Sequence, residues 1–562
     1  MWKKTFVVYI LIFFLSLSYL LIFQNYGINL WDEGVLLNGS LRTLEGESVY
    51  VDFNGYPPGR YLLGAVLFKI FGINISAIRI AVAVMTAIAA TMVYSVSLRL
   101  IPSYFLSIIP SILFLISPAV YYNRFYPIFT IFGIYVIFWY LDLQNVKTCL
   151  EKENPTSPSS PTYKGGERGV VLAISSILSI FFKLEIGIGI IIISIALMLI
   201  PPLHPPLYKG GNGGVRAFKY FFITLSIASI FLAFYYLRMI DMYAFLYDSY
   251  FYVFKIRGSW GNPFPNIFSH ELWRRFDIYE IFSVLLFYIP LIIYLLIFII
   301  LIRNPLTHPH PNPLPEGEGE RGGGRGEGEG ELRTFLATIL FFGIYTYNLV
   351  IWRAGFDNLI RCLPPAFILG GYLLYLFRIK LLKWTGERML SYAIILILPL
   401  WFLYEMIFHS DFYAGSIGEL RKNHVRLSIE RANNIYADPV EALWIKEITG
   451  YIRNNTKTED TIFAIPFNPI WYFLTDRKNP TYYEWLLPGE LKTEKEQTEV
   501  VEQLKKKIPA YVIYADIAID NKEERRFSNY APLVYNFIIY NYHIEKRIGF
   551  FQIWRYGNDS KQ

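Results

Sequence analysis

The chain has 562 residues, 54% of them hydrophobic and 18% aromatic, and a formal net charge of +7. Its apolar residues come in long blocks, which excludes an ordinary soluble protein and indicates a polytopic α-helical membrane protein. The positive excess calls for no nucleic acid, because Lys and Arg favour the loops of one side, as the positive-inside rule expects.

The first apolar run, residues 5–23, is long enough to cross a bilayer about 30 Å thick. Lys3 and Lys4 hold its start in the cytoplasm, and no small-residue cleavage site follows it. It therefore reads as an uncleaved span with Asp32 outside. Residues 61–71 are apolar but too short to cross, and read as interfacial or re-entrant. Spans follow at 78–101, 104–117 and 128–143. The run 170–200 is interrupted by Lys183 and Glu185. As one helix it would bury two charges at mid-depth, so a hairpin of two short helices is expected, with its FKLEIG turn recessed below the outer surface. Runs at 220–237, 281–302, 335–352, 365–377 and 390–408 bring the expectation to about eleven crossings. Cys149 and Cys362 then fall on opposite sides, which excludes a disulfide under this topology; neither has metal-ligand company.

Residues 1–408 thus form a transmembrane domain. Three low-complexity inserts, 154–169, 201–214 and 304–331, interrupt it on the cytoplasmic side. They are rich in Pro, then Gly, cannot build a core and are expected to be disordered. Two share a cassette, PTYKGGERGV and PLYKGGNGGV. Its order matches inverted repeats in the gene, CCN codons against GGN, and a proline-rich docking site is the functional alternative. Residues 409–562 lack any spanning run and read as a small extracytoplasmic α/β domain. TIFAIP, AYVIYA and FFQIWRY are strand-like; PVEALWIKEITGYIRNNT and TEKEQTEVVEQLKKK are amphipathic helices.

Four stretches carry chemistry at the outer ends of apolar runs. Asp32 and Glu33 follow the first span. Tyr56, Pro57, Pro58, Gly59 and Arg60 lead into the next apolar run. Lys183 and Glu185 sit in FKLEIG, and Arg353, Asp357 and Arg361 in WRAGFDNLIRCLPP. Ionisable groups at the edge of hydrocarbon are costly to keep, so a functional site is the default reading. Each stretch also has a structural reading: an acidic helix start, a self-neutralising Lys183–Glu185 pair, and an Arg353–Asp357 pair at a helix end.

An outer loop with Asp-Glu just after the first span, then a Y-P-P-G turn, resembles the GT-C membrane glycosyltransferases, nearest the protein O-mannosyltransferases and lipid A aminoarabinose transferases. WRAGFDNLIRCLPP is similar to an R-x-D-x-x-H-type outer motif of bacterial relatives, FKLEIG to their K-x-P or K-Q-x-G turn, and WYFLTDRKNPTYYEWLLPGE to part of their C-terminal domain. The resemblance implies transfer of a sugar from a polyprenyl-phosphate-linked donor to a lipid, glycan or protein acceptor at the outer face of a bacterial cytoplasmic membrane. It makes Asp32 the base, with Glu33 shaping its site. Tyr56, Arg60, Lys183, Glu185, Arg353, Asp357 and Arg361 become substrate-binding candidates, the cations serving the departing phosphate.

One departure matters. The outer turn PAVYYNRFYP offers Asn123 and Arg124 where some relatives carry a second acid, and the histidines are scattered without metal spacing. Metal-independent transfer without a cofactor is therefore expected, a divalent cation being left open. The competing readings are a polyprenyl-linked glycan flippase, which would show repeats and charges on several spans, and a non-catalytic relative that binds lipid-linked sugar. The topology is tested by cysteine labelling at Asn212 and Lys505. Only the second is expected to react from outside intact cells, and labelling of both from one side overturns the assignment.

Overall fold

The computed structural model describes residues 2–117, 124–153, 165–199, 218–230, 261–275, 278–303, 324–408 and 417–557. Most of the three inserts, Asn123 and the start of the second domain lie outside these. Helix α1 (Trp2–Phe23) has 22 residues, about 33 Å at 1.5 Å per residue. Phe6, Leu11, Phe14 and Leu15 each leave more than half their surface uncovered, as befits a helix facing lipid. Then come α2 (Asp32–Leu44), α3 (Gly59–Phe71), α4 (Ile75–Leu100), α5 (Tyr104–Ile116) and α6 (Phe125–Glu153). The hairpin follows as α7 (Gly165–Phe182) and α8 (Leu184–Leu199). After α9 (Phe218–Ile230) and α10 (His270–Arg275) the long helices are α11 (Ile278–Arg303), α12 (Gly324–Trp352), α13 (Phe356–Thr385) and α14 (Arg388–Phe408). By length and composition, five helices among the described residues suffice to cross a membrane: those of Phe6–Phe23, Ile75–Leu100, Ser283–Arg303, Leu332–Trp352 and Phe356–Trp384. Shorter apolar helices lie beside them.

The break at Lys183 is real. A Cβ on Gly187 would meet the side chain of Ile180 at 2.4 Å and the carbonyl of Ser176 at 2.6 Å, so the chain folds back there. Two sequence expectations need correction. The ends of the first and third inserts, residues 165–169 and 324–331, are helical and prolong α7 and α12; once a helix is nucleated, each further residue adds a hydrogen bond at little extra cost. The span placed at 365–377 is the middle of α13, which runs through Pro364 and Pro365. Membrane helices tolerate such prolines where neighbours satisfy the freed backbone.

The second region opens with α15 (Ile417–Asn423) and a small antiparallel ladder of β1 (Val425–Arg426) and β2 (Tyr436–Ala437). Helix α16 (Pro439–Asn455) is capped by Asp438, whose carboxylate accepts from Val440 N at 2.9 Å, with Pro439 at its first turn. A four-stranded sheet follows in the order β3 (Ile462–Ile465), β4 (Tyr511–Ala515), β6 (Phe551–Tyr556), β5 (Tyr542–Ile548). β3 and β4 are parallel and the other pairs antiparallel. Their crossover holds α17 (Ile470–Thr475) and α18 (Glu494–Lys506), the latter opened by a Thr493–Glu496 capping box. β3 and β4 are buried along their whole length, which is why they read as unbroken apolar runs. β5 is an edge strand with Glu545, Lys546 and Arg547 on it, and charges there discourage pairing with another chain.

Helix α2 is where the two regions meet. It has no spanning length, yet every residue from Glu33 to Leu41 is buried. One side lies on α3, where a Cβ on Gly39 would strike the Tyr61 ring at 2.4 Å and one on Gly64 would strike Ser40 Oγ at 2.0 Å. The other lies on α17, where a Cβ on Gly34 would stand 2.2 Å from Ile470 N. Polar contacts complete the seam. Glu484 accepts from Asn38 Nδ2 at 2.7 Å, pairs with Arg42, and donates its backbone N–H to Asn54 Oδ1 at 2.7 Å. Upstream, Gly27 N donates to Tyr436 O and Tyr436 N to Asn25 O, both at 2.8 Å. Because Glu484 is almost wholly buried against Arg42, Glu484→Ala is expected to cost on the order of 3 kcal/mol by stranding a charge. A lower melting temperature of the detergent-purified protein is the readout.

Candidate active site

The geometry starts from a buried ion pair that the sequence reading passed over. Arg79 of α4 grips Glu33 with two bonds, Nε to Oε1 and Nη2 to Oε2, each 2.7 Å, and both side chains are at most 5% exposed. Its remaining donors reach the carbonyls of Gln24 at 2.7 Å and Gly27 at 2.9 Å. The only sequence signal is an arginine inside the apolar run 78–101, which demands a partner. Glu33 is thereby occupied in holding the loop after α1 against α4. Asp32, one residue earlier, points elsewhere along the helix and is partly exposed. Asn29 Oδ1 accepts from Asp32 N at 2.7 Å and Trp31 N at 3.0 Å, satisfying the first free amides of α2. The two neighbouring acids thus differ in surroundings: Glu33 is buried in an ion pair and Asp32 is partly exposed.

Tyr56 is the centre on which the other motifs converge. The Arg60 guanidinium lies over its ring at 4.6 Å and Lys183 Nζ at 6.0 Å from its centroid. Trp485, from the sheet-containing region, packs on it at 5.4 Å. Burial pushes the Tyr56 phenol up to about 12; the charge of Asp32 adds to this, while Arg60, Arg361 and Arg353 oppose it. The group stays a neutral hydrogen-bonding wall at physiological pH. Asp32, Arg60, Arg353 and Arg361, drawn from three separate stretches, thus act on one side chain.

Arg60 and Lys183 are brought together by a close backbone approach. A Cβ on Gly59 would sit 2.7 Å from the carbonyl of Phe181, so only glycine lets the Y-P-P-G turn rest on the hairpin tip. Arg60 Nη2 donates to Phe182 O at 3.1 Å and its guanidinium also faces Phe125 at 5.4 Å. The residue is 3% exposed, and among the described residues it has no carboxylate partner and its Nε lacks a hydrogen-bond acceptor. A buried guanidinium left this way is costly unless an anion joins it. Lys183 Nζ does pair with Glu185 Oε1 at 3.2 Å, so the self-neutralising reading of that pair holds geometrically. The ammonium still lies over the Tyr126 ring at 5.5 Å and feels both Arg60 and Arg361. Glu185 is further held at its carbonyl by Tyr345 OH, 2.7 Å away.

The Arg353–Asp357 pair does not form. Asp357 is exposed in the first turn of α13, while Arg353 Nη2 lies 3.6 Å from Asp520 Oδ2. Spacing in the sequence alone does not reveal this contact. Trp485, Asp520 and the buried Arg124 beside Phe125 were likewise not picked out as partners. Among the described residues no three His, Cys, Asp or Glu side chains gather into a metal-binding group.

The division of the acidic pair is testable by stability. Glu33→Gln leaves Arg79 buried without its counter-charge and is expected to cost about 3–5 kcal/mol. Asp32→Asn should cost less than about 1 kcal/mol, the scale of one carboxylate at a helix start. Melting of the two purified variants in detergent checks the order.

The architecture matches solved structures over nearly the whole chain. The archaeal oligosaccharyltransferase AglB from Archaeoglobus fulgidus, in complex with an inhibitory peptide and a dolichol-phosphate, gives a TM-score of 0.52 at 11% identity, covering 100% of this chain and 75% of that one. The Archaeoglobus fulgidus oligosaccharyltransferase tethered with an acceptor peptide containing the NVT sequon also gives 0.52, at 12% identity over 98% and 74%. ArnT from Cupriavidus metallidurans bound to undecaprenyl phosphate gives 0.42 at 10% identity over 98% and 97%. No protein-family model matches the sequence, and no curated protein matches it. The chain shares the overall fold of these oligosaccharyltransferase structures, a domain of long apolar helices followed by a small sheet-containing one.

Proposed function

We propose that this protein is a membrane glycosyltransferase that moves a sugar from a polyprenyl-phosphate-linked donor to an acceptor hydroxyl at the outer face of the cytoplasmic membrane. The observation that carries this reading is Arg60, buried, without a carboxylate partner among the described residues and with an unsatisfied Nε, together with a partly exposed Asp32 whose charge acts on the same tyrosine. A buried cation with no acid paired to it among the described residues and a partly exposed carboxylate suit phosphate departure and hydroxyl deprotonation. The AglB and ArnT structures, solved with dolichol-phosphate and undecaprenyl phosphate, agree in ligand chemistry. The second region is extracytoplasmic in this reading, since it packs on the outer loop.

Asp32 takes the proton of the acceptor hydroxyl as that oxygen bonds to the anomeric carbon. The bond from that carbon to the donor phosphate breaks, and its electron pair leaves with the phosphate. Arg60, Arg353 and Arg361 receive the growing negative charge, Arg offering planar paired donors to phosphate oxygens. Lys183 adds a point charge at the hairpin tip, and Tyr56 forms a neutral wall between acid and cations.

Asp32→Asn keeps size and most hydrogen bonding and is expected to lower transfer about 10²–10⁴-fold, the usual range for a lost general base, with donor binding retained. Arg353→Ala is expected to weaken donor binding about tenfold or more, the worth of a hydrogen bond to a charged group. Transfer from a radiolabelled polyprenyl-phosphate sugar in membranes, run beside donor binding, checks both. Wild-type transfer by Asp32→Asn excludes this carboxylate as the base. Intact transfer in both variants, with lipid translocation lost instead, favours a flippase.

A further inference from the structure

The loop 516–526 of the sheet-containing region has an uncommon backbone. Asp520 and Asn521 are consecutive non-glycine residues, each with φ of 56°. Side chains seldom adopt this left-handed conformation, and it persists where surroundings over-determine it. A bridge between Ala518 and Arg526 closes the base of the excursion. Arg526 pairs with Asp516 at 2.6 Å and Glu523 at 2.8 Å. Arg525, 4% exposed, makes a close ion pair with Asp520 and donates to Gly261 O at 3.0 Å. The next carbonyl, that of Asn262, accepts from Ala354 N at 3.2 Å. The loop is thus fastened to the turn that carries Arg353.

At its apex one carboxylate oxygen serves two guanidiniums. Asp520 Oδ2 takes Arg525 in the close contact and Arg353 in a longer one of 3.6 Å. Asp520 thereby orients Arg353 from the side of the sheet-containing region. Its side chain remains 30% exposed, and its charge still reaches Tyr56.

We infer that Asp520 is a positioning residue for the phosphate end of a lipid-phosphate donor, acting through Arg353, so that the sheet-containing region completes the site held by the membrane helices. This rests on the reading of Arg353 as a phosphate ligand. Asp520 touches no substrate; it holds the guanidinium on the Tyr56 side and lowers the freedom that binding would otherwise have to remove. Trp485, packed on Tyr56, is a second wall from the same region.

The test uses the full chain in detergent and two probes, undecaprenyl phosphate and the uncharged undecaprenol. Asp520→Asn is expected to weaken undecaprenyl phosphate roughly fivefold, the upper scale of a partly exposed ion pair, and to leave undecaprenol binding unchanged. In an Arg353→Ala background the same substitution is expected to do nothing further, because the two residues act as one unit. Asp520→Glu, which keeps the charge, is expected to restore the preference for the phosphate. Equal losses for both lipids make Asp520 merely structural and overturn the inference. So do independent losses that multiply in the double variant, or a preference lost as fully in Asp520→Glu as in Asp520→Asn. If Arg353→Ala itself binds undecaprenyl phosphate like the unaltered protein, the donor reading of Arg353 fails, an outcome separate from the others.

Discussion

The Arg79–Glu33 pair is the constraint from which the site is built. A guanidinium inside an apolar helix must find every one of its acceptors within the protein. Arg79 finds them in one carboxylate and two loop carbonyls. That requirement draws the end of the first span, the following loop and the start of α2 onto α4. Asp32 owes its placement to a neighbour that is fully engaged. Two adjacent acids with opposite environments need not compete for one task, and their burial separates the roles more sharply than their chemistry does.

Around this anchor the protein gathers cations from distant stretches, each by a different device. Arg60 arrives because Gly59 permits contact with a backbone carbonyl of the hairpin. Lys183 arrives because the hairpin breaks there. Arg353 is held from the side of the sheet-containing region. A single aromatic ring, Tyr56, touches or feels most of them. The arrangement gathers several positive groups around one ring, Lys183 and Arg353 each paired with an acid and Arg60 with none among the described residues.

Much of this was legible in the residues. The apolar runs gave the long helices, the two charges in FKLEIG gave the hairpin, and IFAI, YVIYA and FQIWRY gave three of the four strands of the sheet. What local pattern could not supply was the edge strand β5, whose HIEKR centre alternates like a solvated helix. It also could not supply the helical passage through Pro364 and Pro365, or the true partner of Arg353. Asp357 is near in sequence but turned away, while Asp520 is remote and close in space. Arg79 was readable in principle, since an arginine in an apolar run asks for an acid, and Glu33 stands just after the preceding span. The seam between the regions was not, because Asn38, Arg42 and Glu484 are ordinary surface residue types until they meet.

That seam has a consequence for biogenesis. Asn38 and Glu484 are separated by 446 positions in the chain, so at ribosomal rates of about 5–20 residues per second α2 waits tens of seconds for its partner. Throughout that interval Asn38 lacks the Glu484 carboxylate, Arg42 has only its local partners, Glu47 and the Asp52 carbonyl, and the face of α2 that will receive Ile470 stays uncovered. Helix α2, with Asp32 and Glu33 in its first turn, is therefore among the first parts synthesised and among the last to become rigid. Contacts of such long sequence separation form slowly, and a truncated product that stops within the membrane domain carries the acid and several of the cations without the surface that holds them in register.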